Sequence, residues 1–239
     1  MTKLTLVAAG LTFATILAHA TVIAPGTTVN APIEEVSTAV GPGSATLLTI
    51  SGNYNFNVLP PPDISASYIE TAYADTTNPF NTISGIYDTT IVLKITVHAG
   101  TTASIERATL GYFGSFDTSV SYLAGSAAAP TDATRNTLGT VIGYGFLGLT
   151  AGDVETLIVY TNAHGANTGG TVSIQDGTTG DNVGISAAPE PVSATLLPIG
   201  LAFLIFVWGG PPGLRLTSRS AFKALRQSFR KAAVAQDAF

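Results

Sequence analysis

The 239-residue chain contains no cysteine, one methionine and one tryptophan, and only 10% of its residues are charged. Without cysteine there is no disulfide framework, thiolate metal site, cysteine nucleophile or lipidated N-terminal cysteine. Charge is scarce beside the roughly 25% of a typical soluble domain. The hydrophobic fraction is nevertheless 46% and the mean hydropathy is +0.38. That combination excludes charged disorder, which needs low hydrophobicity and high net charge. Ten basic and fifteen acidic residues leave a net charge of −5, which repels phosphate and argues against a nucleic-acid partner. The length accommodates one ordinary domain with appendages.

What is present is concentrated at the ends. Residues 1–20 place Lys3 before an uncharged run from Leu4 to Ala18 and close on Ala18-His19-Ala20. Charged n-region, apolar h-region and small-residue exit form the layout of a secretory signal peptide, with Ala18 and Ala20 at the signal-peptidase site. A buried first helix is the alternative. Near the other end no charge falls between Pro191 and Leu214. At 1.5 Å per residue, 192–210 spans ~28 Å, enough for a bilayer core. Trp208 closes that apolar run as an interfacial aromatic, and the alternative is a buried helix of a soluble domain. Arg215, Arg219, Lys223, Arg226, Arg230 and Lys231 follow, a positive-inside anchor that keeps this end cytoplasmic and the preceding domain outside.

Pro189-Glu190-Pro191 stands immediately before the apolar span. The triplet, one hydrophobic helix and a basic flank, together with the N-terminal signal, resemble the PEP-CTERM protein-sorting signal over residues 188–219. The resemblance implies recognition and cleavage near the triplet by an exosortase, a membrane-embedded cysteine transpeptidase-like enzyme. It also implies a host that secretes exopolysaccharide. The physical logic agrees, since proline-flanked backbone stays extended while helix and cations hold the substrate in the membrane. Two features depart from the family pattern. The chain runs 24 residues beyond Arg215, and Gly209-Gly210-Pro211-Pro212-Gly213 separates helix from cations. In the basic tail, residues 220–239, Phe222, Leu225 and Phe229 are spaced as on a cationic amphipathic helix at a lipid surface; a frayed tail is the alternative.

Between the ends, Thr21 to Ala188 carries three cations (Lys94, Arg107, Arg135) against thirteen acids, a net of −10. An acidic exported domain thus precedes a basic anchor. Long helical periodicity is missing. Alternation is clear in Thr90–His98, where Ile91, Leu93, Ile95 and Val97 share one side and Lys94 and His98 the other. Further strands are expected at 45–50, 54–59, 104–113, 119–123, 140–147, 155–162 and 171–175. Turns are expected at 60–63, 76–79, 165–170 and 176–182. The expectation for 21–187 is an all-β domain, an antiparallel β-sandwich that is jelly-roll-like or immunoglobulin-like. Ser104-Ile105-Glu106-Arg107, 114–120, 156–163 and 172–178 are also similar to segments of uncharacterised ectodomains that often carry PEP-CTERM signals, over Tyr87 to Thr179, which implies a β-rich domain without an assigned activity.

Chemistry is sparse. There is no G-x-S-x-G elbow, and the exported domain has only His98 and His164, both expected at the surface. Asp153 with Glu155, and Glu34 with Glu35, are acid pairs in sequence, the minimum for a glycosidase reading. No metal site is expected beyond weak calcium candidates, Asp176 and Asp181, in a Gly-hinged oxygen-rich segment. Tyr and Phe side chains could stack on sugars, although most are expected in the core. The expected function is therefore a non-enzymatic, secreted cell-envelope protein. Its expected partners are signal peptidase, exosortase, membrane lipid and exopolysaccharide. The alternatives are a carbohydrate- or calcium-dependent binding module and, third, a hydrolase.

Overall fold

The computed structural model describes residues 20–30, 33–56, 64–114 and 116–189. Ala18, Glu190, Pro191, the apolar span and the six tail cations lie outside the described residues.

The described residues form thirteen strands and no helix. One sheet follows the order β1 (Thr21–Val22), β8 (Thr118–Leu123), β11 (Val154–Thr161), β6 (Thr89–Val97), β5 (Ile64–Ala74), β4 (Ala45–Phe56), with β3 (Glu35–Val36) parallel to β8. The second follows β13 (Thr178–Ala188), β12 (Gly165–Asp176), β7 (Ile105–Gly111), β10 (Val141–Leu149), β9 (Asp132–Arg135), β2 (Thr28–Asn30). All other pairings are antiparallel. Residues of both sheets share one core, including Ile91, Leu93 and Ile95 from the first and Leu110, Ile142 and Tyr144 from the second. The all-β expectation holds.

The alternation of β6 is the simplest local cause. Ile91, Leu93, Ile95 and Val97 are buried and Lys94 is exposed, as period-two side chains on a one-sided sheet require. On the outer side of the first sheet a smaller cluster forms from Val36, Ile158 and Tyr160 under Ala39, Phe80 and Leu123.

Several segments differ from expectation. The strands expected at 45–50 and 54–59 are, as far as Phe56, one strand, β4, running through Ser51-Gly52-Asn53, and 57–63, with the turn expected at 60–63, lie outside the described residues. Gly52 is needed there for space rather than for a turn, because a Cβ would meet the Tyr68 ring at 2.6 Å. The expected turns at 165–170 and 176–182 are mostly strand. β12 and β13 pair from Gly165↔Ala188 to Asp176↔Thr178, and only Gly177 (φ +62°) turns the chain. Neither β5 nor β9 was expected.

Candidate functional site

The outer face of the first sheet is shaped by register. Ile69 of β5 pairs with Lys94 of β6, and Lys94 pairs with Thr156 of β11. One row across the sheet is therefore an isoleucine, an ammonium and a hydroxyl on a common face. The next row holds Thr71 and Val92. Above this floor stand Tyr73 and Val154, and the 123–126 turn with Ala39 makes a wall. Together they enclose an open groove of about 420 Å³. None of its described lining residues is acidic.

The three cations of the domain meet different fates. Arg135 is buried and donates to four carbonyls, those of Gly139, Ile23, Gly114 and Phe116. Arg107 pairs with Asp132 at 3.7 Å and donates to the Thr134 hydroxyl. Lys94 is exposed and has no hydrogen-bond or ion-pair partner among the described residues. Among the described residues it is the one cation left available, and it lies in the groove.

Further along the same face, His98 sits between two serines. Its Nδ1 lies 3.2 Å from Ser65 Oγ, and its Nε2 lies 3.0 Å from Ser67 Oγ. Because Ser65 donates to Asn55 Oδ1 at 2.9 Å, its oxygen receives the Nδ1 proton. Nε2 then accepts from Ser67. A base beside a serine is the start of nucleophile activation. Ser67, however, is paired to both Asn53 and Thr96, so its backbone is committed to the ladder and offers no free oxyanion donors. The half-buried ring clips β5 to the start of the next connection. His164 pairs with buried Asp88 at 2.9 Å; burial pushes the Asp88 carboxyl up while the histidine opposes it.

The acids do not converge on a cleft. Glu70 and Glu155 are fully buried. Glu70 Oε2 accepts from Ile185 N at 2.7 Å and Glu155 Oε2 from Ala128 N at 3.2 Å. The second oxygen of each has no partner among the described residues. Burial pushes Glu70 up to about 8 and Glu155 to about 7, with backbone donors and, for Glu155, the Ser126 hydroxyl pulling back. Glu70 is opposite Leu93, and Glu155 is opposite Ile95, so β6 runs between them. Two strand spacings, about 10 Å, already separate their backbones. Asp153 caps its own turn through Thr150, and Glu35 accepts from the Tyr122 hydroxyl at 3.3 Å.

Asp181 lies opposite Ser173, three residues before Asp176 on β12. Alternation therefore sends the two carboxylates to opposite faces of the sheet. Among the described residues no three His, Cys, Asp or Glu side chains gather as a metal site would require. Of the aromatics, Tyr54, Tyr68, Phe113 and Tyr144 are core, whereas Tyr112 is exposed, at φ +76°. Ala20 is half-buried, and Pro189 is exposed directly after β13.

Sequence reasoning placed Lys94 on the wet face of its strand but missed the groove, whose walls come from segments far apart in the chain. No signal local to any one strand could have assembled it. No family model, curated protein or solved structure matches the chain.

Proposed function

We propose that the chain is an exported, non-enzymatic protein of the cell envelope, with an acidic jelly-roll-like or immunoglobulin-like sandwich as its cargo. Residues 1–20 direct export, the helix at about 192–210 holds the precursor in the membrane, and an exosortase reads Pro189-Glu190-Pro191. The released or retained domain associates with extracellular polysaccharide. The supporting observation is where the last strand stops. β13 stays paired with β12 up to Ala188, and Pro189 is the exposed residue that follows. Cleavage at or after the triplet leaves every described strand intact.

Mass spectrometry of the C-terminus, in a host with an exosortase, tests this. Replacing the triplet with three alanines is expected to leave secretion and fold unchanged and to accumulate the membrane-bound full-length form. Identical C-terminal masses for wild type and variant would refute the sorting role. A second reading, a surface binding module, is favoured by one observation: an acid-free groove with an unpaired ammonium on an otherwise acidic domain.

A further inference from the structure

We infer that the groove on the outer face of the first sheet binds a carboxylated sugar unit, with Lys94 pairing the carboxylate. The inference rests on reading the groove as a binding site, and it names the ligand class.

The charge argument comes first. The domain carries −10 overall, and its thirteen acids give a polyanion every reason to stay away. The groove is the exception, since among the described residues no acid lines it and the one cation without a partner stands in its floor. An ammonium is a compact point charge with three donors and suits a carboxylate oxygen.

Hydroxyls decide the rest of the ligand. Thr156 is next to Lys94 in register and has no side-chain partner among the described residues. Thr71 accepts from Thr49 at 3.3 Å, which leaves its own proton free to donate. Ser126 Oγ accepts from Thr156 N at 3.1 Å and lies at the rim. Groups that both give and take hydrogen bonds match a polyhydroxylated ligand, and the aliphatic faces of Ile69 and Val92 match the C–H face of a sugar ring.

A peptide fits less well. β5, β6 and β11 are interior strands, each paired on both sides, so an extended chain finds no free edge to join. The groove volume of about 420 Å³ is within the range of small-ligand sites.

The test uses the full chain in detergent micelles and isothermal titration with three ligands. These are trigalacturonate, the neutral sugar maltotriose and the charge-matched peptide triglutamate. The expected order is trigalacturonate tightest. Lys94→Gln is expected to weaken it about fivefold or more, Lys94→Arg to retain most of the affinity. Thr156→Val should weaken both sugars. The basic C-terminal tail meets both anions alike and is the same in every variant, so the dependence on Lys94 isolates the groove. Trigalacturonate affinity unchanged by Lys94→Gln overturns the inference. So does triglutamate binding as tightly with the same dependence on Lys94, which would make this an acidic-peptide site. Maltotriose binding as tightly as trigalacturonate, with loss only in Thr156→Val, also overturns it but leaves the groove a sugar site. Failure of both sugars removes the binding-module reading as well, and none of these outcomes bears on sorting at the triplet.

Discussion

Glu70 and Asp75 lie five residues apart, both fully buried, and the fold treats them in opposite ways. Asp75 is surrounded by donors. Its Oδ1 accepts from Gly41 N, Ser44 Oγ, Thr77 N and Thr77 Oγ1 at 2.9–3.1 Å, and its Oδ2 from Thr90 Oγ1 at 2.8 Å. Among the described residues Glu70 receives one backbone N–H, and its other oxygen receives none. The first acid is a hub that ties the loop after β3 and the turn after β5 to β6. The second is a carboxyl kept in the core with its charged form disfavoured. Burial alone therefore does not define what an acid does for the fold; the donors around it do.

The largest effect should come from breaking the hub. Asp75→Ala strips the acceptor from four donors, Ser44 Oγ keeping Gly41 O at 2.8 Å, and buried donors left unpaired cost about 1–3 kcal/mol each before relaxation. Water entry and loop movement recover part of this, so a loss of roughly 3–5 kcal/mol is expected. Urea denaturation gives the number. A loss under about 1 kcal/mol would mean that the donors find other partners and that the contrast with Glu70 is false.

Glu70 should show itself through pH. Its carboxyl titrates at about 8 in the fold instead of 4.5, and Glu155 at about 7. Above pH 4.5 the unfolded chain has lost these protons while the folded chain still holds them, so stability falls as pH rises. The decline runs from pH 4.5 to about 7 for Glu155 and to about 8 for Glu70. Stability from these groups is fully present below pH 4.5. Each contributes at most about 1.4 kcal/mol per pH unit within its window. Urea midpoints at acid, neutral and mildly alkaline pH should therefore slope downward in wild type and slope less in Glu70→Gln. Equal slopes would place the titrating proton elsewhere.

These particulars also explain what the chain discloses before folding. β6 is legible because Ile91, Leu93, Ile95 and Val97 alternate without interruption. β5 is hidden because its inner face reads Ile64, Ala66, Tyr68, Glu70, Ala72, with two alanines and an acid where large apolar side chains are the usual signal. β13 is hidden for a related reason. Its Gly, Asp and Asn look like turn chemistry, yet among the described strands β13 has a partner on one side only, and side chains from the opposite sheet occupy its backbone. Tyr68 donates to Val183 O at 2.5 Å and Glu70 accepts from Ile185 N. Such long-range satisfaction leaves no local trace. The groove is hidden by the same logic, since its floor row is one residue from each of three strands.

A smaller effect tests that edge directly. Tyr68→Phe keeps the ring that covers Gly52 and removes only the hydroxyl, leaving Val183 O unpaired. A neutral hydrogen bond of this kind is worth about 1 kcal/mol. Hydrogen exchange should show the β12–β13 hairpin opening more readily while β6 amides keep their protection. Uniform loosening of both sheets would instead make Tyr68 a general core contact.

The smallest effect belongs to Lys94, and its smallness is the point. Asp75 and Glu70 are held by the fold, so changing them changes stability. Lys94 is exposed, faces no acid in its groove and touches no partner among the described residues. A surface side chain with no such ties moves stability by less than about 0.5 kcal/mol when replaced. Lys94→Gln should therefore unfold at the same urea concentration as wild type, within that margin. A clear loss would reveal a structural contact for the ammonium and weaken the case that it is reserved for a ligand. A gain would point the same way as no change, because it too describes a charge that the fold itself does not use.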